Sequence, residues 1–228
     1  MPRPKQGQSS PNLNQSIRHT AWTQIARSGA PTLSLRAIAR ELNITAPAIY
    51  NYYPSLHDLV TALIVEAFTS FAAAQQAAID PQPREDHRAR LRALGKAYRA
   101  WAVAYPERYQ LIFGTPIPGY HAPMELTGPA AMCGLAILIN VIDGIQQAGL
   151  LSCSFTLPVA LAAQLEEMKA MSPVNDTRVL YLALVTWARV HGLVSMEIGQ
   201  QYPPAITLPA DLFDLELEIM LDEVFASS

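Results

Sequence analysis

The chain has 228 residues, half of them apolar, with 16 Lys and Arg against 19 Asp and Glu and a net charge of −3. That suffices for one medium domain, or a small domain joined to a larger one with a sizeable core. "VLYLALVTWARVHGLV", the most apolar stretch, carries Arg189 and His191 and is too short to span a bilayer, so no membrane segment is expected. The start, "MPRPKQGQSSPN", lacks the apolar run of a signal peptide and reads as a disordered basic tail over residues 1–11. Cys133 and Cys153 have no metal-ligand spacing. A reducing, cytoplasmic location is expected, with a pairing of these two thiols left open.

Charge is unevenly placed. Residues 1–60 hold six basic side chains against two acidic, a net of +4, and the remainder holds ten against seventeen, a net of −7. A basic head on an acidic body fits a head that alone approaches a polyanion. A chance imbalance would look the same.

In chain order, the periodicity predicts helices throughout. Asn12 is a candidate cap for the first helix, with Ile17, Ala21 and Ile25 on one face and Gly29 at the end. Ser34 caps a second helix, in which Leu35, Ile38, Ala39 and Leu42 recur at helical spacing. Asn43 suits the left-handed residue of a tight turn, and Ile44 plugs that turn. Thr45 caps a third helix with Pro47 in its first turn, where a missing N–H is tolerated. Ser55 and Asp58 then open a fourth helix in capping-box spacing. Its inward stripe is Leu56, Val60, Leu63, Ile64, Ala67 and Phe71.

"DPQPRED" (80–86) is the clearest punctuation. A helix follows with Leu91, Leu94, Tyr98, Trp101 and Tyr105 on one face, then a short helix from Pro106 to Phe113 and a loop, "GTPIPGYHAP". A long helix is expected from Pro129 to Ala148, ended by Gly149. Three more follow, the second apolar nearly all round and the last with an acidic face that reads as solvated. No strand alternation occurs. The fold class is all-α, with an N-terminal module over residues 12–60 and a larger helical body over 61–228.

Helix, tight turn, helix is a DNA-reading shape. The second helix enters a major groove about 12 Å wide, with its N-terminal residues at base edges. The third helix here offers small Ala46 and Ala48 for thymine methyls, and Thr45 and Asn51 for base edges or phosphates. Tyr50 and Tyr52 add hydroxyls for the backbone. Any three-helix bundle has such turns, so shape alone does not decide.

The phrase "LRAIARELNITAPAIYNYYPSLHDL" resembles the N-terminal domain of TetR-type transcriptional regulators. Arg36, Ile38, Ala39, Ile49, Tyr50, Tyr52, Ser55 and Leu59 match the pattern R-x-I-A-x-x-x-G-V-S-x-x-x-[LI]-Y-x-[HY]-F-x-[ST]-K-x-x-L. Asn43, Ile44, Thr45 and Tyr53 replace Gly, Val, Ser and Phe conservatively. The resemblance implies that Arg36, Thr45, Ala46, Pro47, Ala48, Tyr50, Asn51, Tyr52 and Ser55 meet double-stranded DNA. Two departures stand out. Leu56 occupies the place of a phosphate-contacting Lys, and the third helix has no Lys or Arg for bidentate guanine reading.

In that family the body is a ligand-binding and dimerisation domain. "TWARVHGL", with Trp187, His191 and Gly192, resembles a C-terminal domain type named for its Trp-His-Gly signature, as does "YRAWAVAYPERYQLIFG". Trp187 and His191 lie one turn apart and fit a pocket with one polar handle. Trp101, Tyr105, Tyr109 and Phe113 form a second aromatic set, and Met132, Met168 and Met171 are candidate lining. Plain core explains the same stripes. Gly192 is expected to permit a close helix approach. A dimer stripe of Leu212, Leu215, Ile219 and Val224 is expected on the last helix.

The expected function is a homodimeric, ligand-responsive repressor on a near-palindromic operator, released by a small, largely apolar effector, with no cofactor and no metal. An enzyme is disfavoured: there is no phosphate-binding Gly loop, no G-x-S-x-G and no H-E-x-x-H, and the five histidines are scattered. A helical ligand-binding adaptor with a degenerate DNA head is the alternative, supported by Leu56 and the uncharged third helix.

Overall fold

The computed structural model describes residues 11–152, 155–172 and 174–225, and the side chains of 11, 12 and 171 lie outside that description. Cys153 and the Met171 side chain, both named above, therefore fall outside it. Ten α-helices form the described chain, and its only β pairing is an isolated bridge between Leu151 and Phe225. They are α1 (Pro11–Ser28), α2 (Leu35–Glu41), α3 (Ala46–Tyr50), α4 (Leu56–Ile79), α5 (His87–Ala104), α6 (Pro106–Phe113), α7 (Met124–Gln147), α8 (Val159–Met168), α9 (Thr177–Ile198) and α10 (Pro209–Val224).

The chain divides into two compact units. The first comprises residues up to Ala67 together with Pro106–Thr127, and the second comprises Phe68–Tyr105 and the chain from Gly128 onward. A single cut at residue 60 does not describe this division, because α6 and the loop after it join the first unit. The reason is packing. Tyr109 of α6 is buried there, Arg108 lies over the Trp22 ring at 4.9 Å, and Tyr120 hydrogen-bonds Thr61 at 2.9 Å.

In the first unit Ile17, Ala21 and Ile25 of α1 meet Leu35, Ile38 and Ala39 of α2 and Ile49 of α3, all buried. Each such aliphatic side chain contributes ~1.5–3 kcal/mol on burial, which lets helices of seven and five residues hold without intrinsic stability. Asn12 lies inside α1 rather than before it. In the second unit α5 packs on α9 and α10, and its Leu91, Leu94, Tyr98 and Trp101 are buried. Gly95 is a necessary gap: a Cβ there would stand 2.7 Å from Leu217, which is itself buried.

Several sequence expectations need correcting. The α10 acidic face is not simply solvated: Asp222, Glu218 and Asp214 pair with Arg88, Arg92 and Lys96 of α5, one rung per turn along two antiparallel helices. α7 begins at Met124, five residues before Pro129, whose missing N–H is absorbed in the second turn while Thr127 bonds back to the Pro123 carbonyl. Tyr105 ends α5 as its C-cap and is exposed rather than on the inner face. α9 is not enclosed on most sides, since Val185, Met196 and Gly192 face outward. Three helices, α4, α7 and α9, are long and apolar enough to cross a membrane by length and composition, contrary to the estimate from residues 179–194 alone. Each uses its apolar positions in the unit cores, Leu59 and Leu63 in α4, Ile139 and Ile142 in α7, Val179 and Ala183 in α9.

Candidate nucleic-acid interface and effector site

The reading head is assembled by local chemistry. Ser34 caps α2 by accepting from the Ala37 N–H at 3.5 Å. At the other end Asn43 adopts φ +53°, and two backbone bonds close the turn: Ile44 N–H to the Ala39 carbonyl at 2.9 Å and Asn43 N–H to the Arg40 carbonyl at 3.2 Å. This is the Schellman arrangement, with Asn in the place glycine usually takes. It satisfies carbonyls that would otherwise be orphaned and throws the chain directly into α3.

α3 is clamped from its inner side. Ile49 is fully buried, and the hydroxyl of buried Tyr53 donates to Asn14 Oδ1 of α1 at 2.6 Å. Burial raises the Tyr53 pKa, against the lowering pull of Arg18, so this donor keeps its proton. The outer side is left open. Thr45, Ala46, Pro47, Tyr50 and Asn51 are exposed, and Ala48 and Tyr52 are half-buried. Thr45 holds the N-cap position, but its side chain makes no capping bond, unlike the expectation. Pro47 already removes one of the N–H groups such a cap would serve, and Thr45 is exposed to solvent.

Ser55 and Asp58 form a reciprocal capping box at the start of α4. The Ser55 N–H and hydroxyl donate to Asp58 Oδ2 at 2.8 and 2.7 Å, and the Asp58 N–H donates to Ser55 Oγ at 3.2 Å. The Ser55 hydroxyl proton is thus already committed. Leu56 is half-buried beside it.

Sequence reasoning missed the bracket behind this head. Glu66 of α4 accepts from Trp22 Nε1 at 3.0 Å and pairs with Arg18 at 2.9 Å and Arg108 at 3.5 Å. One carboxylate thereby joins α1, α4 and α6. Glu66 lies 42 to 48 positions from each of these partners, and no local spacing signals them.

The other cations of the first unit behave differently. Arg27, Arg36 and Arg40 are exposed and have no carboxylate partner among the described residues. Arg36 and Arg40 stand one turn apart on α2, beside the turn into α3.

The expected effector residues separate. Tyr109 and Phe113, with rings 5.1 Å apart, belong to the first unit. In the second, buried Trp101 makes tilted ring contacts with Phe71, centroids 5.1 Å apart, and with exposed Tyr105, 6.0 Å apart, and its indole N–H donates to Ser70 at 3.1 Å. Trp187 and His191 lie 5.4 Å apart, as their spacing implies. His191 Nδ1 shares a hydrogen bond with the Tyr98 hydroxyl at 2.8 Å, and its Nε2 one with Ser195 at 3.3 Å. Burial lowers the His191 pKa and keeps the ring neutral. Tyr98, predicted on the inner stripe of α5, becomes the histidine's partner because α5 packs on α9. Met132 and Met168 are half-buried on α7 and α8. Among the described residues no three His, Cys, Asp or Glu converge on a metal site.

A shallow groove on the second unit is lined by Gly192, Leu193 and Met196 of α9 and Leu212, Leu215 and Ile219 of α10. Leu215 is 64% exposed and Ile219 41%, so the expected stripe is open here. Val224 is the exception and is buried in the unit's core. Gly192 does not serve close packing within the protomer, since a Cβ there would meet nothing within 4 Å.

Comparison with known proteins agrees with this architecture. Residues 17–63 match the family model described as bacterial regulatory proteins, tetR family, and residues 91–220 match the tetracyclin repressor-like C-terminal domain. The chain is 31% identical over 201 residues to HTH-type transcriptional regulator Rv1816 of Mycobacterium tuberculosis, covering 87% of this chain and 86% of that one. The same figures hold for HTH-type transcriptional regulator Mb1846 of Mycobacterium bovis. The crystal structure of regulatory protein SCO4313 superposes with a TM-score of 0.77 at 34% identity, covering 92% of this chain and 95% of that one. The chain belongs to the TetR family. It is a transcriptional regulator with a DNA-binding helix-turn-helix, and not an enzyme.

Proposed function

We propose that the protein is a homodimeric repressor that binds a near-palindromic operator in the cytoplasm and is released by a small, largely apolar effector. The observation that carries the DNA contacts is the two-sided character of α3. Ile49 and Tyr53 fix its inner side, while Thr45, Ala46, Pro47, Tyr50 and Asn51 stand exposed with small or neutral polar chemistry. With no cation on α3, sequence is read by thymine methyls, Thr45 and Asn51, and by DNA shape. Arg36, Tyr50 and Tyr52 hold phosphates. Ser55 contributes only by trading its bond to Asp58.

Dimerisation uses the open face of α9 and α10. Leu215, Ile219, Met196 and Gly192 form an apolar surface that a second copy of the same surface covers about a two-fold axis. Two heads then meet two half-sites one helical turn apart. The effector site is expected around Trp101, Trp187 and His191 with Met132 and Met168, where the Tyr98–His191–Ser195 chain offers a polar handle in an aromatic surround. Tyr105, Tyr109 and Phe113 are weaker candidates, the first exposed and the others in the first unit. Effector binding lowers DNA affinity only through unequal affinity for the bound and released states.

A second reading, a dimeric ligand-binding adaptor with a degenerate head, draws on the absence of cations from α3 and on Leu56. Fluorescence anisotropy at near-physiological salt, with DNA flanking the protein's own gene and a shuffled duplex, separates the two. Sub-micromolar binding to the native duplex alone supports the repressor. If neither that duplex nor a selection from random duplexes yields a preferred sequence, the adaptor reading replaces it.

A further inference from the structure

The second unit has nine Lys and Arg side chains, and seven are paired with carboxylates: Arg88, Arg92, Lys96, Arg99, Lys169, Arg178 and Arg189. The two without a carboxylate partner among the described residues are Arg84 and Arg90, and both line one cavity of about 500 Å³. It lies where the end of α4, the 80–86 turn and the start of α5 face α7. They lie six residues apart, Arg84 in the turn and Arg90 in the first turn of α5, and neither is drawn off by a carboxylate.

The rest of the lining is suited to the same partner. Gln76, Gln82 and Asn140 carry amide donors, and His87 adds a ring nitrogen. Gly144 makes room for that ring: a Cβ there would lie 3.3 Å from His87 Nδ1 and Cε1. The Arg90 guanidinium is held by one bond, Nη1 to the Ile79 carbonyl at 3.3 Å, which leaves most of its donor fork unused. One carboxylate faces the cavity, Asp80, and Gln76 Nε2 donates to it at 2.5 Å. The other two acids of the turn, Glu85 and Asp86, are not in its lining, and Asp86 is engaged with the Ala89 N–H at 2.8 Å. Two cations against one occupied acid leave a net positive hollow with several free donors.

We propose that this cavity binds a small ligand carrying an oxyanion, a carboxylate or a phosphate, with Arg84 and Arg90 as the charged clamp and Asn140 and Gln82 as neutral donors. Arg forks match both anions in geometry. Ile79, Ile137 and Val141, also in the lining, accept a short apolar portion. The site is separate from the aromatic effector site above and does not depend on it.

Isothermal titration calorimetry on the full-length protein tests this with inorganic phosphate and with succinate, each against chloride at constant ionic strength. The expected result is saturable binding of one or both, one per protomer, and the tighter probe identifies the chemistry. The double variant Arg84→Gln/Arg90→Gln should weaken it by about tenfold or more, the scale of charge-assisted bonds. Asn140→Asp, at an exposed helical position with unchanged shape, should weaken it comparably and guards against misfolding of the double variant. Absence of saturable binding by either probe overturns the proposal, as does binding that both variants leave intact.

Discussion

The two units use arginine in opposite ways. In the second, Arg88 and Arg92 on α5 meet Asp222 and Glu218 on α10, Arg99 meets Glu197 of α9, and Arg189 meets Glu216 and Glu223. These pairs join helices to one another. Among the described residues of the first unit only Arg18 and Arg108 do this, both through Glu66, while Arg27, Arg36 and Arg40 stay exposed and have no carboxylate partner there. An exposed pair contributes ~0–1 kcal/mol, so pairing is a weak glue in either place. What differs is availability. A guanidinium already holding a carboxylate has little left for an incoming phosphate, whereas an unpaired one does. Among the described residues the α2–α3 head and the Arg84–Arg90 cavity meet that criterion, which is why both are proposed as anion-binding surfaces.

The sharpest way to break this contrast is to put a carboxylate on the head. Ala46→Glu replaces a small side chain at the base edges with an anion inside the polyanionic groove, and we expect operator binding to fall by about a hundredfold or more, since like-charge juxtaposition costs several kcal/mol. Retained binding in an anisotropy titration would remove α3 from the groove. On the second unit, Leu215→Asp together with Ile219→Asp should convert a dimer to a monomer in light scattering. The helical circular dichroism should stay unchanged, because both positions are exposed.

Intermediate effects should separate the roles within the head. Tyr50→Phe should weaken binding to all sequences by about tenfold or less, while Thr45→Ala should alter preference at one base-pair position, worth ~1–3 kcal/mol there. Equal, sequence-independent losses from both would contradict that division. Packing in the second unit makes a demand of similar size. Gly95→Ala drives a methyl into Leu217 and should cost ~1–3 kcal/mol in denaturant unfolding.

The smallest effect is expected from pH. Burial lowers the His191 pKa below its ordinary 6.5, so the unfolded chain takes up a proton more readily than the folded one. Its contribution to stability is therefore complete above pH 6.5 and declines as the pH falls below that value. His191→Gln should flatten that part of the stability–pH curve. An unchanged slope would assign the acid sensitivity to other groups.

Much of the reading head was legible in the sequence because its signals are local. Ser34, Asn43, Pro47 and the Ser55–Asp58 box each act on backbone groups within five residues. Their spacing alone sets the helix ends and the left-handed turn. Thr45 was the exception, an N-cap in position but not in bonding. In the body, helical periodicity marked Trp187 and His191 as neighbours. It could not say that Tyr98 completes the pair or that Tyr109 serves the other unit.

Helix positions and the character of each face were thus determined by the sequence itself, since capping and amphipathicity are short-range properties of the chain. Only the tertiary structure decided which faces meet. The carboxylates of α10 read as a solvated stripe until α5 ran antiparallel beside it and matched every fourth residue with a cation. Glu66 became the junction of three helices, and Arg84 and Arg90 came to share one hollow with Asn140 of α7. Such pairings depend on the register between elements far apart in the chain. Register is fixed by burial summed over whole faces, with Gly95 and Leu217 among the contacts that admit only one solution.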